Sequence, residues 1–176
     1  SEIEEDFDKI ANGNKKFLNV MNSFYKDFSK LTKNTEVKIK KTDKIKLESY
    51  QKEIKLDNKK YIIRIAKYGP VIQFKEFNKK ENKDENKYIN LVPYLKATGK
   101  DIESIKKDDI KLLINLPMKI GKTNNKDIIL KYARYGFYLS NGNKNASIFK
   151  QYIDLVLDGE FNKIKNLIDN DKIKFK

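Results

Sequence analysis

Two stretches of the chain carry the same three residue types in the same order, spaced two apart: a basic residue, a small residue and a tyrosine. They are Arg64, Ala66 and Tyr68, and then Lys131, Ala133 and Tyr135. Residues two apart share one face of a β-strand. A tyrosine ring beside a small residue leaves room for a flat nucleobase, whose stacking contributes about 1–3 kcal/mol, while the cation meets a phosphate. The alternative is an ordinary hairpin whose tyrosine fills the core edge; the repetition favours a binding face.

A glycine follows each of these tyrosines, at Gly69 and Gly136. Glycine tolerates positive φ, which sharp turns require, so each stretch is predicted to turn there and return as a second strand. On the first strand of each copy, the alternate positions are apolar and predict the core face. These positions are Tyr61, Ile63 and Ile65 in one copy and Ile128, Leu130 and Tyr132 in the other.

The charge of the chain points to an anionic partner. Its 176 residues include 39 Lys and Arg against 25 Asp and Glu, a formal net charge of +14, and the sequence pI is about 9.6. A positive field of this size attracts phosphate polymers and anionic membrane surfaces alike. No apolar run approaches the length of a membrane span, and the acidic start does not resemble a signal peptide. We therefore expect nucleic acid, and no membrane, as the partner.

Several kinds of chemistry are excluded by composition. The chain has no Cys and no His, which rules out disulfides, zinc fingers and Cys or His nucleophiles and bases. Asp108 and Asp109 are adjacent acids, but they are expected to begin a helix and to complement its dipole rather than to bind a metal. We predict no catalytic residue and no metal site in this chain.

The second half of the chain repeats the first. A shift of 67 residues sets Tyr135 on Tyr68, and a shift of 57 sets residues 144–148 on residues 87–91. The ten-residue difference is filled by a polar stretch at 78–87, which has the composition of a mobile loop. We therefore predict an α+β fold with this organisation: a helical segment at 1–31, a linker at 32–46, and two small antiparallel β-sheet repeats at 47–117 and 118–176, each with a packed helix.

Two motifs resemble those of a known family. Residues 67–71 (KYGPV) and 134–138 (RYGFY) resemble the "GRYGPYV" motif of the C-terminal repeats of type IA DNA topoisomerases, of the cysteine-free, zinc-free kind, and residues 144–148 (KNASI) resemble its "KNASL". The opening stretch, from Glu4 to Phe28, is similar to the last helices of that family's catalytic core. The resemblance covers nearly the whole chain in the right order.

The resemblance implies a fold, a function and a set of residues. The repeats would be sheets of about four strands that hold single-stranded DNA while the catalytic core cuts and passes strands. The core's tyrosine and its acidic magnesium site have no counterpart here, so this chain is expected to be no enzyme on its own and to need no cofactor. It is expected to be intracellular and DNA-associated, in nucleoid or cytoplasm, nucleus or viral factory. The implied DNA-binding residues are Arg64, Lys67, Tyr68, Lys131, Arg134, Tyr135, Tyr138 and Lys144.

The chain departs from the family motif at several positions. The leading glycine is Ala66 or Ala133, the first copy has Val71 where the motif has its second tyrosine, and the second copy has Phe137 in place of proline. The second copy, with Tyr135 and Tyr138, is therefore expected to be the better base stacker. Two alternatives stay open: a protein-interaction module, for example for transcription machinery, and an RNA-binding module, because stacking does not separate DNA from RNA. Duplex DNA and the catalytic core are further candidate partners.

Overall fold

The computed structural model describes residues 49–176, which form two compact units. Unit 1 includes residues 49–95 and 100–107, and unit 2 comprises residues 96–99 and 108–176. The predicted helical segment at 1–31 and linker at 32–46 lie outside the described residues. Helix α2 (Lys107–Ile114) belongs to unit 2 apart from its first residue, whereas the sequence placed it in the first repeat. Its apolar periodicity revealed a buried face but could not show which unit that face joins.

Unit 1 is built on a four-stranded antiparallel sheet. Its strands are β1 (Gln51–Leu56), β2 (Lys59–Ala66), β3 (Gly69–Asn78) and β4 (Lys83–Asn90), in that spatial order. Burial along β2 alternates as predicted: Tyr61, Ile63 and Ile65 are buried, while the residues between them are half-buried. Alternate apolar residues thus give the sheet one core face.

Helical turns cover the core face of unit 1. Helix α1 (Val92–Thr98) begins in this unit, and the Asn90 side-chain oxygen accepts a hydrogen bond of 3.0 Å from the Val92 N–H at its start. A 3₁₀ turn follows at Ile102–Ser104. The buried apolar residues of the unit are Ile54, Tyr61, Ile63, Ile65, Ile72, Leu91, Tyr94, Leu95, Ile102 and Ile105.

Unit 2 has a second four-stranded antiparallel sheet with helices after it. The strands are β5 (Met118–Thr123), β6 (Lys126–Ala133), β7 (Gly136–Asn141) and β8 (Lys144–Ser147), again in chain order, and the helices are α3 (Ile153–Leu157) and α4 (Phe161–Asp169). Helix α4 contacts β5, and it buries Ile164 and Ile168. Beyond it, Ile173 is buried, and Lys176 exchanges backbone hydrogen bonds of 2.9 and 3.2 Å with Asn145 of β8.

The Tyr-Gly strand pairs of the two sheets, β2 with β3 and β6 with β7, share one register, whereas β5 has a register shift between Lys119 and Gly121 that β1 lacks. Ile62 pairs with Gln73 and, 67 residues later, Ile129 pairs with Ser140. Both sheets also begin with a two-residue turn in which two consecutive residues have positive φ, Asp57-Asn58 in one and Asn124-Asn125 in the other. That is the turn type favoured in tight hairpins. The predicted α+β fold with two antiparallel sheet repeats is thus confirmed.

The ten-residue length difference is an extension of one hairpin. Phe74 pairs with Lys87 in unit 1 and Asn141 with Lys144 at the equivalent place in unit 2. Unit 2 then turns through Gly142-Asn143, whereas unit 1 continues as a two-stranded ribbon, residues 75–86, here called the hairpin arm. Only residues 79–82 form its turn, so β4 takes up the second half of the segment 78–87 predicted as a loop. Most residues of the arm are exposed, so its sequence lacks the apolar alternation that identifies a half-buried strand.

Candidate nucleic-acid interface

Both Tyr-Gly corners are two-residue connections between paired strands. Ala66 pairs with Gly69 and Ala133 pairs with Gly136, so Lys67-Tyr68 and Arg134-Tyr135 form the turns. The glycine φ angles are 124° at Gly69 and 100° at Gly136, as the sequence predicted. A Cβ built on Gly136 meets nothing within 4 Å. The backbone conformation, not crowding, therefore requires glycine at this corner.

The tyrosines lie in the turns rather than on a strand. The alternation predicted that Tyr68 and Tyr135 continue the row of Ala66 and Ala133, but β2 and β6 end at those alanines. As turn residues, the two rings stand at the hairpin tips, where Tyr68 is 58% exposed and Tyr135 is 90% exposed. Each corner therefore presents an aromatic ring to an incoming ligand.

A cation lies over each of these rings. The Nζ atom of Lys67 is 5.4 Å from the centroid of the Tyr68 ring, and Cζ of Arg134 is also 5.4 Å from the centroid of the Tyr135 ring. Both distances are within the range of a cation–π interaction. One cation covers one face of a ring, so the opposite face is the one on which a nucleobase would stack. The cation itself brings a positive charge close to the phosphate of that nucleotide.

The two units differ on the strand face next to the corner. In unit 1, Arg64 is half-buried opposite Val71, and its Nη1 donates a hydrogen bond of 3.0 Å to Oε1 of Gln73. Its Nε is buried and has no hydrogen-bond partner among the described residues. In unit 2, the equivalent Lys131 lies directly opposite Tyr138. Unit 2 thus brings a predicted cation and a predicted aromatic residue together, while unit 1 has Val71 at the position equivalent to Tyr138.

Lys144 stands apart from the other predicted residues of unit 2. It is exposed at the start of β8 and pairs with Asn141 at the far end of β7. Gly136 begins the same strand five residues earlier, a separation of about 16 Å along an extended chain. The buried Asn141 amide fixes this end by donating to the carbonyl oxygens of Thr123, Lys126 and Asp127 at 3.0–3.2 Å. Lys144 could therefore contact a neighbouring part of a bound strand, but not the corner.

Acidic residues are absent from the sequence on either side of both Tyr-Gly corners. Residues 58–75 contain five Lys and Arg with no Asp or Glu, and residues 128–153 contain four with none. Because charges beyond about 8–10 Å are screened at physiological salt, the local balance matters more than the net charge of the chain. Each corner is therefore positive in its own neighbourhood. This pattern was visible in the sequence, although the spacing of tyrosines and cations alone did not reveal it.

The sequence did not point to three exposed aromatic residues, which are Tyr88, Phe149 and Phe77 of the hairpin arm. Tyr88 lies on β4 opposite Gln73, on the same sheet face as Arg64. Phe149 follows β8 and is 55% exposed. None of the three adjoins a motif glycine in the sequence, and only the alternation of buried and exposed residues would have placed Tyr88 or Phe149 on the outer face.

Two tyrosines in unit 1 have shifted pKa values, and both lie away from the corners. Burial raises the pKa of Tyr50, and the nearby Glu103 carboxylate raises it further. Burial also raises the pKa of Tyr61, with a smaller contribution from Asp57. Both therefore stay protonated at neutral pH. Within residues 49–176 no group of three acidic side chains is placed to hold a metal ion, and Asp108 and Asp109 occupy the first turn of α2.

The helices described for residues 49–176 are all too short or too polar to cross a membrane. Comparison of the chain with models of protein families, with curated proteins and with solved structures gives no match. The resemblance to topoisomerase repeats therefore depends on the motifs themselves and on their order along the chain.

Proposed function

We propose that this chain is the DNA-binding C-terminal region of a type IA DNA topoisomerase, which holds single-stranded DNA by aromatic stacking and by Lys and Arg contacts to phosphates. One observation supports this above the others. In both units an exposed tyrosine with a cation over its ring stands at the tip of a hairpin, within a stretch of sequence (residues 58–75 or 128–153) that contains no acid. Stacking of this kind accepts any base, which suits a protein that must hold DNA of varied sequence.

Unit 2 is the stronger site in this proposal. A base stacks on the open face of Tyr135, Arg134 lies behind that ring, and Lys131 beside Tyr138 meets the backbone next to it. Unit 1 contributes Tyr68 with Lys67, together with Arg64 as a phosphate contact. The two units then hold separate portions of one strand.

The chain holds DNA and does not cut it. The cleavage chemistry, with its tyrosine nucleophile and Mg²⁺, belongs to the catalytic core implied by the resemblance. By keeping the strand near that core, the repeats would support strand passage and relaxation. This role also implies that the chain works at DNA inside the cell.

The test is fluorescence anisotropy with labelled single-stranded DNA of about 20 nucleotides. Wild type is compared with the double variant Tyr135→Ala, Tyr138→Ala across a range of salt. We expect the variant to lose about 2 kcal/mol of binding free energy at fixed salt, because stacking is removed. Its salt slope should match that of wild type, because no cation has been removed. Circular dichroism checks that both proteins are folded.

Two results would redirect the assignment. If the double variant binds as tightly as wild type, with the same salt slope, the lysines alone are responsible and the corners are only fold architecture; a protein partner would then be the better hypothesis. If a ribo-oligonucleotide of the same sequence competes more strongly than DNA, the chain reads the 2′-hydroxyl and is an RNA-binding module.

A further inference from the structure

A second exposed ring follows β8 on the outer face of the unit 2 sheet. Burial alternates without a break from Ala146, through exposed Ser147 and buried Ile148, to exposed Phe149. Phe149 itself has extended backbone angles, φ −67° and ψ 152°. Because alternate residues share a face, Phe149 lies on the same side as Ser147, which pairs with Tyr138.

Register places this ring beside the Tyr-Gly corner. β7 and β8 are antiparallel, and Ser147, the last residue of β8, pairs with Tyr138; continuing this register by two residues would set Phe149 opposite Gly136. Gly136 has no side chain, and a Cβ built there would meet no atom within 4 Å outside its two chain neighbours, although the residue itself is buried. The outer face at this end of the sheet therefore carries Tyr138 on β7 and Phe149 directly after β8, near the turn residue Tyr135.

Phe149 contacts Tyr152 through both its backbone and its ring. Its carbonyl oxygen accepts a hydrogen bond of 2.8 Å from the Tyr152 N–H, which closes a turn and links the two residues. The two rings are 6.4 Å apart between centroids, at an interplanar angle of 51°, a tilted arrangement that aromatic pairs favour. A ring fixed in this way loses little conformational entropy when a flat ligand stacks on it.

The charge around Phe149 favours an anionic ligand. Lys150 is exposed directly after Phe149, and the whole stretch 128–153 lacks acids. An apolar ring among cations fits a chain of bases linked by phosphates better than an apolar peptide. Unit 1 lacks this combination, because its residues equivalent to Tyr138 and Phe149 are Val71 and Val92.

We propose that Phe149, supported by Tyr152, is a second base-stacking position in unit 2, and that it takes the base next to the one stacked on Tyr135 in a bound single strand. This inference rests on the proposed function. According to this proposal, unit 2 stacks two adjacent bases of the strand and unit 1 stacks one base. It also explains why an aromatic side chain remains exposed outside the Tyr-Gly motif.

The experiment uses the full chain and three variants: Phe149→Ala, Phe149→Tyr and, as the matched control, Phe77→Ala. Phe77 is 54% exposed on the hairpin arm, nearly the same exposure as Phe149. Binding is measured by anisotropy with a 20-nucleotide single strand and with a strand of abasic residues of the same length. We expect Phe149→Ala to weaken binding to the normal strand about fivefold or more. Phe149→Tyr and Phe77→Ala should bind like wild type.

The abasic strand separates stacking from structural damage. It keeps every phosphate, so Phe149→Ala should bind it as tightly as wild type does; equal weakening on both strands would overturn the proposal. If Phe149→Ala binds the normal strand like wild type while the Tyr135→Ala, Tyr138→Ala variant is weakened, the Phe149 position is wrong and the proposed function stands. If wild type binds no single strand, both proposals fail.

Discussion

Tyr135 exposes 90% of its surface, although a buried aromatic side chain contributes several kcal/mol to the stability of a fold. An exposed ring gives up that contribution, and the turn it occupies needs glycine at the next position, not tyrosine before it. Truncating the ring should therefore leave folding unchanged while it alters binding. This separation makes Tyr135 a clean residue for testing function.

For Gly136, the residue after Tyr135, we expect a substitution to lower stability. Gly136→Ala places a Cβ at φ 100°, which should destabilise the protein by about 1–2 kcal/mol, although nothing crowds the new methyl group. Gly121→Ala is the matched control, because its Cβ would meet only ordinary contacts, at 3.6 Å from Lys165 and 3.7 Å from Ile128. Thermal or urea unfolding followed by circular dichroism measures both. Equal stability of the two variants would show that the corner backbone relaxes.

At the level of single residues, the sequence predicted which residues form the corners, but it placed the tyrosines on the strands rather than in the turns. It predicted the positive φ of Gly69 and Gly136, since only a turn explains glycine after a strand. It placed the tyrosines on the strand face, because alternation has no signal for where a strand stops. Whether the cation contacting Tyr135 comes from Lys131 or from Arg134 depends on side-chain direction in the turn, which residue spacing does not define.

Among the elements, the hairpin arm is the one whose removal should matter least. Replacing residues 75–86 by Gly-Asn would join Phe74 to Lys87 as unit 2 joins Asn141 to Lys144. The arm holds four lysines and four acids, so the net charge stays at +14, and its exposed ion pairs contribute little. We expect the free energy of unfolding to change by less than about 1 kcal/mol and the affinity for single-stranded DNA to stay the same.

Urea unfolding and anisotropy on the shortened protein check this expectation. Loss of cooperative unfolding would mean that the arm is part of the core of unit 1. Loss of DNA affinity with stability retained would mean that the arm contacts the strand, and Phe77 would then be the first residue to substitute.

The strands that line the core were predictable, and those that leave it were not. β2 and β6 carry Ile, Leu or Tyr at every second position of the face toward the core, and this alternation is typical of a half-buried strand. The arm, by contrast, is held by backbone pairing and by the Asn78 side chain, whose Oδ1 accepts a hydrogen bond of 2.9 Å from the Lys80 N–H. The polar composition of the arm predicts a loop, because neither face of this ribbon packs on a core and its strands therefore need no apolar residues.

For the whole molecule, the Tyr-Gly strand pairs of the two units share a register, but Val71 of unit 1 replaces Tyr138 of unit 2. We therefore predict that the two units contribute unequally to binding. Tyr135→Ala should weaken binding to single-stranded DNA more than Tyr68→Ala, because Tyr135 is more exposed and has Tyr138 on the neighbouring strand face. Anisotropy at one salt concentration gives the two losses. Neither variant removes a cation, so both should keep the wild-type salt slope. Equal losses would mean that the units bind alike.

The division into two sheets followed from the internal repeat, since a pattern that recurs after 67 residues implies a unit that recurs. The boundary between the units did not follow. Helix α2 has the same apolar spacing whichever sheet it packs on, so its assignment to unit 2 required the structure. The segment at 1–31 carried part of the resemblance but lies outside the described residues, so that part stays a prediction.

The two Tyr-Gly hairpins are equivalent parts of their units. Residues 59–75 and 126–142 follow the same kind of turn, and their two strands pair with each other in the same register. The strand before them differs, because β5 has a register shift between Lys119 and Gly121 that β1 lacks, and a hairpin moved from one unit to the other would have to accommodate that shift. Under the proposed function, tandem copies of the second hairpin would raise the number of binding sites for one DNA strand. Each added copy would act at the high effective concentration that a short tether provides.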